Sequence, residues 1–267
     1  MSRASFYRRQ NDSGSDKVDF DMDLRDAIQR IALEWPCYGR PRITAELQRQ
    51  GWKVGSNRVL KLMRLDNLLC VRKRRFVVTT DSDHGRKIYP NLAAEMTLTG
   101  IDQLWVADIT YIRLEAEFVY LAVVIDAFSR RVIGWALDRS METELPLSAL
   151  CMAYQQRQPP AGLVHHSDRG SQYASHDYTG FLHAHGCRIS MSRKASPWEN
   201  AGCESWMKTL KQEEVHRQEY RDLEEARSCL DRFIDKVYNQ RRLHSALGYR
   251  PPAEFEQALV AKPTGTG

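Results

Sequence analysis

Trp105-Val106-Ala107-Asp108-Ile109-Thr110-Tyr111-Ile112 is the stretch on which the reading of the chain turns. Its β-branched and aromatic residues predict a strand over Leu104–Ile112, yet an aspartate stands in the middle. Acidic residues are depleted in strands and settle on surfaces. A carboxylate in a central strand needs a compensating partner, and a cation is the economical one. Two runs of similar character follow, Phe118–Ile125 and Val132–Leu137, so three consecutive strands forming a meander are expected. Downstream the pattern alternates: a helix over Thr143–Gln158, stopped by Pro159-Pro160, then a short strand over Leu163–His166. A helix over Ser175–His185 ends at Gly186, a strand over Arg188–Ser190 follows, and two long helices span about 198–217 and 222–240. That order predicts an α/β fold, a mixed five-stranded sheet flanked by helices.

Upstream of the meander the periodicity is helical throughout. Leu24, Ala27, Ile28 and Ile31 recur at helical spacing, and Pro36 and Gly39 break the run. Ile43–Gln50 and Ser56–Leu69 read as two further helices separated by Gly51 and Gly55, with Ser56 as a cap. Three short helices with a tight glycine turn predict a small all-α domain of helix-turn-helix type. Residues 1–75 form this region. Residues 76–100 lack periodicity and read as a linker, 101–217 as the α/β core, and 218–267 as a helix and tail completing it.

Charge divides the chain in the same way. The whole sequence has 39 Lys+Arg and 34 Asp+Glu, net +5. Residues 1–90 hold 19 of the basic and 11 of the acidic side chains, whereas residues 91–267 are mildly acidic. The densest run, Arg72-Lys73-Arg74-Arg75, closes the helical region and points to a polyanion. With 42% apolar residues and no long apolar run, disorder and membrane insertion are excluded as readings. The N-terminus has no secretory pattern, and six scattered cysteines read as reduced thiols, so a cytoplasmic location is expected.

Two further acids join Asp108. Asp168 follows the fourth strand, in His165-His166-Ser167-Asp168-Arg169-Gly170-Ser171, where open α/β sheets usually bind ligands. Ser196-Pro197-Trp198-Glu199 has the composition of a helix start, which puts Glu204 about two turns into that helix. Asn200, Glu204, Lys208 and Lys211 then share one face, with the i, i+4 surface ion pair as the bland alternative. Carboxylates suit Mg²⁺ and Mn²⁺, and a pair of such ions serves in-line phosphoryl displacement.

Between Asp168 and Glu204 lie 35 residues. This spacing resembles the Asp, Asp-(35)-Glu triad of retroviral integrases and related transposases. The blocks around Asp108, Asp168 and Glu204 resemble those of the OrfB-type transposases of the IS-three family of bacterial insertion sequences. So do Tyr38–Ile43, Arg58–Met63, and the tail block Tyr238-Asn239-Gln240-Arg241-Arg242-Leu243-His244 with Leu247-Gly248-Tyr249 and Pro251-Pro252. The resemblance runs from about residue 5 to 256. It implies a ribonuclease H-like fold and DNA strand cleavage and transfer at terminal inverted repeats. It also implies that Asp108, Asp168 and Glu204 are catalytic and hold two Mg²⁺ (or Mn²⁺) ions. Lys208, Lys211 and Arg169 would brace the DNA backbone, and Arg72, Lys73, Arg74, Arg75, Arg241 and Arg242 are further expected DNA contacts. Double-stranded DNA, a homo-oligomer on it, and a protein or fusion from an upstream frame are the implied partners, in a bacterial, nucleoid-associated setting. The chain departs from the family pattern at Glu199, where an aspartate is usual, and at Trp206-Met207 after the glutamate.

Other constellations carry less. His183-Ala184-His185-Gly186-Cys187 lacks the paired spacing of a zinc site. Arg241, Arg242, His244 and Tyr249 evoke a tyrosine recombinase, but Tyr249 sits in a Gly-Tyr-Arg-Pro-Pro turn and lacks free approach. Two alternatives to a transposase remain open in the sequence: a catalytically silent DNA-binding descendant, and a ribonuclease H-like nuclease without strand transfer.

Overall fold

The structure, a computed structural model, describes residues 14–68, 87–193 and 200–261. The chain divides between Arg75 and Phe76 into two compact units. In the first, α1 (Gly14–Glu34), α2 (Arg40–Arg49) and α3 (Ser56–Leu65) bury Leu24, Ile28, Ile43, Leu47, Val59 and Met63 against one another. Pro41 sits in the first turn of α2, where its missing N–H costs nothing. Gly51, at φ +91°, turns the chain between α2 and α3 in a conformation that disfavours other residues. Ser56 is not the cap expected of it: Gly55 holds the N-cap, and Ser56 is the first helical residue. The helix α1 also begins well before Leu24. The run Arg72–Arg75 lies outside the described residues.

The second unit is built on a five-stranded sheet of order β3-β2-β1-β4-β5. Its strands are β1 (Leu104–Arg113), β2 (Phe118–Asp126), β3 (Val132–Asp138), β4 (Val164–Ser167) and β5 (Arg188–Met191). The first three pair antiparallel as a meander, whereas β4 joins β1, and β5 joins β4, in parallel. Parallel pairing requires crossovers, supplied by α4 (Glu144–Arg157) and α5 (His176–Ala184). Alternation along β1 sends Trp105 and Ala107 to the face covered by α4 and α5, and Val106 and Ile112 to the face covered by α6 (Ala201–Glu213) and α7 (Leu223–Arg232). Among the described residues no helix is long and apolar enough to cross a membrane.

Several local expectations change. The helix expected over 198–217 is described from Ala201 to Glu213, and its expected start, Ser196–Glu199, lies outside the described residues. The helix expected over 222–240 is α-helical only to Arg232 and continues as a π-helix over Phe233–Asn239. The wider turn buries Phe233, Ile234, Tyr238 and Asn239. Asn239 then accepts from the Val132 N–H at 3.0 Å and donates to its carbonyl at 2.9 Å. Residues 87–100, read as linker, wall the core: Leu92, Ala93, Met96 and Leu98 pack on it, and the N–H groups of Leu92 and Ala93 donate to Ser190 Oγ.

Two contacts set the rigidity of this unit. Gly134 on β3 faces α4 so closely that a Cβ there would stand 2.1 Å from the Ala149 carbonyl oxygen and 2.8 Å from Ala153 N. The last helix, α8 (Pro252–Val260), is anchored by buried Glu256, which pairs with Arg131 and Arg157. Burial raises the Glu256 pKa, but hydrogen bonds from Arg157, Ser129 and Arg131 outweigh it and hold the carboxyl below its usual range. We expect Gly134→Ala to cost at least about 3 kcal/mol in urea unfolding, because backbone must move; an unchanged midpoint would show that α4 does not pack this closely. Glu256→Gln should cost about 3 kcal/mol at pH 7, since two partly buried arginines lose their counter-charge. The wild-type advantage is present above the ordinary glutamate pKa of about 4.3 and should vanish as the pH falls towards the lower folded value. Parallel stability profiles for the two proteins across that window would contradict the assignment.

Candidate active site

The parallel register of β1 and β4 sets Leu104, Trp105 and Val106 beside Val164, His165 and His166. Continued by two residues, it brings Asp108 alongside Asp168, the first residue after β4. Neighbours in parallel register point to the same face, here the face that α6 covers. Cys203, Trp206, Met207 and Leu210 of α6 are buried in the cluster that holds Leu104, Val106 and Ile112. Glu204, between these anchors, remains exposed at the rim. It lies in the first turn of α6, not two turns in, because the described helix begins at Ala201.

Where β4 stops, β1 continues for several residues, and its backbone finds other partners. The Ala107 carbonyl accepts from Asn200 Nδ2 at 3.1 Å, and the Ile109 N–H donates to Asp108 Oδ1 at 2.9 Å. Asn200 is buried at the N-cap of α6. It therefore fastens the helix carrying Glu204 to the strand carrying Asp108, one residue from that aspartate. The Asp168 loop is held by its own turn: Oδ1 accepts from the Gly170 N–H at 2.9 Å. A Cβ on Gly170 would lie 3.0 Å from that oxygen, so a glycine lets the turn close.

The three acids feel one another. The Asp108 pKa is pushed up to about 7, chiefly by burial, next by the charge of Asp168 and further by that of Glu204; the Ile109 N–H and Lys211 pull it down. Lys211, half-buried, has a pKa lowered by burial against the pull of Asp108. Among the described residues no three acidic, histidine or cysteine side chains stand arranged to hold a metal ion as they are. Their chemistry nonetheless fits a hard divalent cation: the donors are oxygens, and crowded negative charge is what such a cation relieves.

The basic residues separate into groups. Lys208 is exposed, and Lys211, which feels the charge of Asp108, has its Nζ 4.8 Å from the centre of the Tyr111 ring. Arg169 donates through Nε to the Ser192 carbonyl at 2.8 Å, and Arg241 is exposed. Arg242, expected at a DNA surface, is corrected by the structure: its guanidinium is buried and makes two bonds to Glu213, at 2.8 and 2.7 Å. A buried arginine needs a carboxylate, and here it ties the tail block to the end of α6. His165 is kept neutral by burial, with a pKa lowered to about 3, and its Nε2 meets the Tyr178 hydroxyl at 3.0 Å. His166 Nδ1 lies 2.8 Å from Ser190 Oγ.

Three neighbours of the site carried no role in the sequence reading. Asn200 had a signal, its place four residues before Glu204. Tyr173 is buried near Asp108 and Asp168, and its hydroxyl has no hydrogen-bond partner among the described residues. Arg130, at φ +62° in the β2–β3 turn, lies against Gly202 at the start of α6, and nothing in the sequence marks it.

Comparison with known proteins follows the same division. Residues 19–76 match an HTH-like domain, and residues 99–197 and 185–252 match two integrase core domain families. The chain is 36% identical over 259 residues to the insertion element IS600 uncharacterized 31 kDa protein of Shigella sonnei, covering 96% of this chain and 95% of that one. It is 37% identical over 225 residues to the transposase InsF for insertion sequence IS3A of Escherichia coli (strain K12), covering 84% and 78%. In fold it is similar to a chain of the simian T-cell lymphotropic virus intasome solved with the PP2A regulatory subunit B56 gamma. The TM-score is 0.51 at 12% identity, covering 90% of this chain and 76% of that one. Asn200→Ala should lower stability by about 1–3 kcal/mol in urea unfolding, the cost of a buried carbonyl left without its donor. An unchanged midpoint would mean that α6 does not depend on this bond.

Proposed function

The chain belongs to the IS3-type family of insertion-sequence transposases, enzymes of the DDE type with an integrase core and a helix-turn-helix region, and from that premise we propose how its residues share the reaction. Asp108, Asp168 and Glu204 are the catalytic carboxylates and would hold a divalent cation, as a pair of Mg²⁺ or Mn²⁺ ions. Such ions, when bound, activate the attacking oxygen and stabilise the leaving one in a phosphoryl displacement. The observation that supports this reading is the register of β1 on β4, which sets Asp108 and Asp168 side by side under the helix that bears Glu204.

The remaining residues bind and orient. Asn200 is a positioning residue, holding Glu204's helix to the Asp108 strand. Exposed Lys208 and half-buried Lys211 lie one and two turns beyond Glu204 and offer charge to the phosphate backbone. Arg169, whose Nε donates to the Ser192 carbonyl, is read as a further contact to the DNA backbone. Arg241 contributes from the tail. In the helical unit the second helix of the motif, α3, presents Asn57, Lys61 and Arg64 as exposed side chains suited to a DNA groove. The basic run Arg72–Arg75 adds backbone contacts where that region gives way to the linker and core.

We read the substrates as the terminal inverted repeats and the target duplex, with a homo-oligomer on DNA bringing two ends together and an upstream-frame protein or fusion aiding end recognition. The setting is the bacterial cytoplasm, at the nucleoid. To test the assignment, purified chain is incubated with labelled inverted-repeat duplex and Mg²⁺ beside Asp168→Asn. We expect joined products from the wild type and a loss of more than about a hundredfold in the variant, the scale of a lost metal ligand. Joining that survives Asp168→Asn would remove Asp168 from the chemistry, and cleavage without joining would mark a nuclease.

A further inference from the structure

Past Val106 no strand among the described residues lies on the β4 side of β1, and next to this open edge Tyr111 and Arg113 of β1 and Phe118 of β2 share one face of the sheet. Tyr111 is partly buried, with Lys211 Nζ over its ring at 4.8 Å. Phe118, the first residue of β2, faces Arg113 in register and meets Tyr111 edge-on, with ring centres 5.8 Å apart and planes at 76°. The Arg113 guanidinium stands 5.9 Å from the Phe118 ring centre. Phe118 is 51% exposed and is the one aromatic among the exposed large apolar side chains of the described residues. A single exposed ring is ordinary on a protein surface. Here the exposed ring touches a second ring, and each has a cation against it.

The charges narrow the occupant. Among the described residues neither Arg113 nor Lys211 makes an ion pair, whereas of the two acids in the β1–β2 turn Glu117 is bonded to Arg139 at 3.0 Å and Glu115 acts on Arg221. The patch therefore offers positive charge and an exposed ring backed by a second one. Bases inside a duplex already stack on each other, so these rings suit bases that have left it. Alternation turns Tyr111 to the face opposite Asp108, and Lys211 links the two across the open edge: its Nζ stands over the Tyr111 ring, and it feels the charge of Asp108. Tyr111 is three residues beyond Asp108, about 10 Å along the strand, or roughly three base steps of duplex.

We propose that Tyr111 and Phe118, flanked by Arg113 and Lys211, form a stacking platform for the unpaired bases of a frayed DNA end. One strand is thereby held out of the duplex while its phosphate lies at the carboxylates. The placing of that phosphate rests on the site proposed above, but stacking itself does not. Binding is therefore read in EDTA, where no phosphodiester is cut, and the cleavage test of Asp168→Asn can fail without affecting it.

The probe is a fluorescein-labelled 30-base-pair duplex of arbitrary sequence, blunt or with its last three pairs mismatched, titrated with the full chain and followed by anisotropy. Wild type should bind the splayed end about tenfold more tightly than the blunt one. Phe118→Ala should reduce that preference below about twofold with little change for the blunt duplex, and Phe118→Trp should restore it. Tyr111→Ala should act in the same direction. Phe118 is exposed, so its variants should keep the wild-type melting curve, which is checked by circular dichroism. The proposal is overturned if wild type shows no preference, if Phe118→Ala retains it, or if both duplexes lose affinity equally. A changed sedimentation coefficient in Phe118→Ala with the preference intact would assign the ring to a protein interface instead, and would equally overturn it.

Discussion

One mismatch of length governs the catalytic unit: β4 is four residues long and β1 is ten, and they start level. Had β4 run as far as β1, both flanks of β1 would be paired and Asp108 would lie beneath a closed sheet. Because β4 ends at Ser167, the chain turns away at the level of Asp108, and Asp168 is delivered beside it. The same ending leaves a carbonyl and an N–H of β1 without ladder partners, which a sheet cannot leave bare in its interior. Asn200 takes the first and Asp108 itself the second. The site and the structural repair of the strand edge are thus made from the same residues.

Helix α6 converts that edge into a pocket of charge. Its apolar side, with Trp206 and Leu210, is fixed in the core, so the side that bears Glu204, Lys208 and Lys211 has little freedom of rotation. Its far end is held by Glu213 against buried Arg242, and its near end by Asn200. Fastened at both ends, the helix keeps a carboxylate near two others despite their repulsion. That repulsion adds to burial, the larger cause, in raising the proton affinity of Asp108, and it is a cost that a cation offsets.

Much of this was legible in the chain. An aspartate within an apolar strand and another at a strand end are visible because both break the usual placement of acids. The meander, the crossovers and the helical N-terminal region follow from periodicity and from breakers such as Pro159-Pro160 and Gly186. What stayed hidden depends on partners remote in sequence. Arg242 reads as one more surface cation until Glu213 is seen to bury it, and charge counts carry no information on burial. The π segment at Phe233–Asn239 keeps nearly the periodicity of an α-helix, and only the bonds of Asn239 to Val132 reveal the wider turn. The work of Asn200 depends on where β4 stops, a matter of register that local composition does not encode. Residues 87–100 lack periodicity because they pack as an irregular wall.

The central claim is that Asp108, Asp168 and Glu204 converge on divalent cations. Crystals of the full chain grown or soaked with Mn²⁺ and measured at the manganese absorption edge test it most directly. The account predicts anomalous peaks within about 2.5 Å of oxygens from Asp108 and Asp168, with Glu204 turned in to reach them. Peaks elsewhere, or a Glu204 carboxylate that stays in solvent beside an occupied aspartate pair, would contradict it.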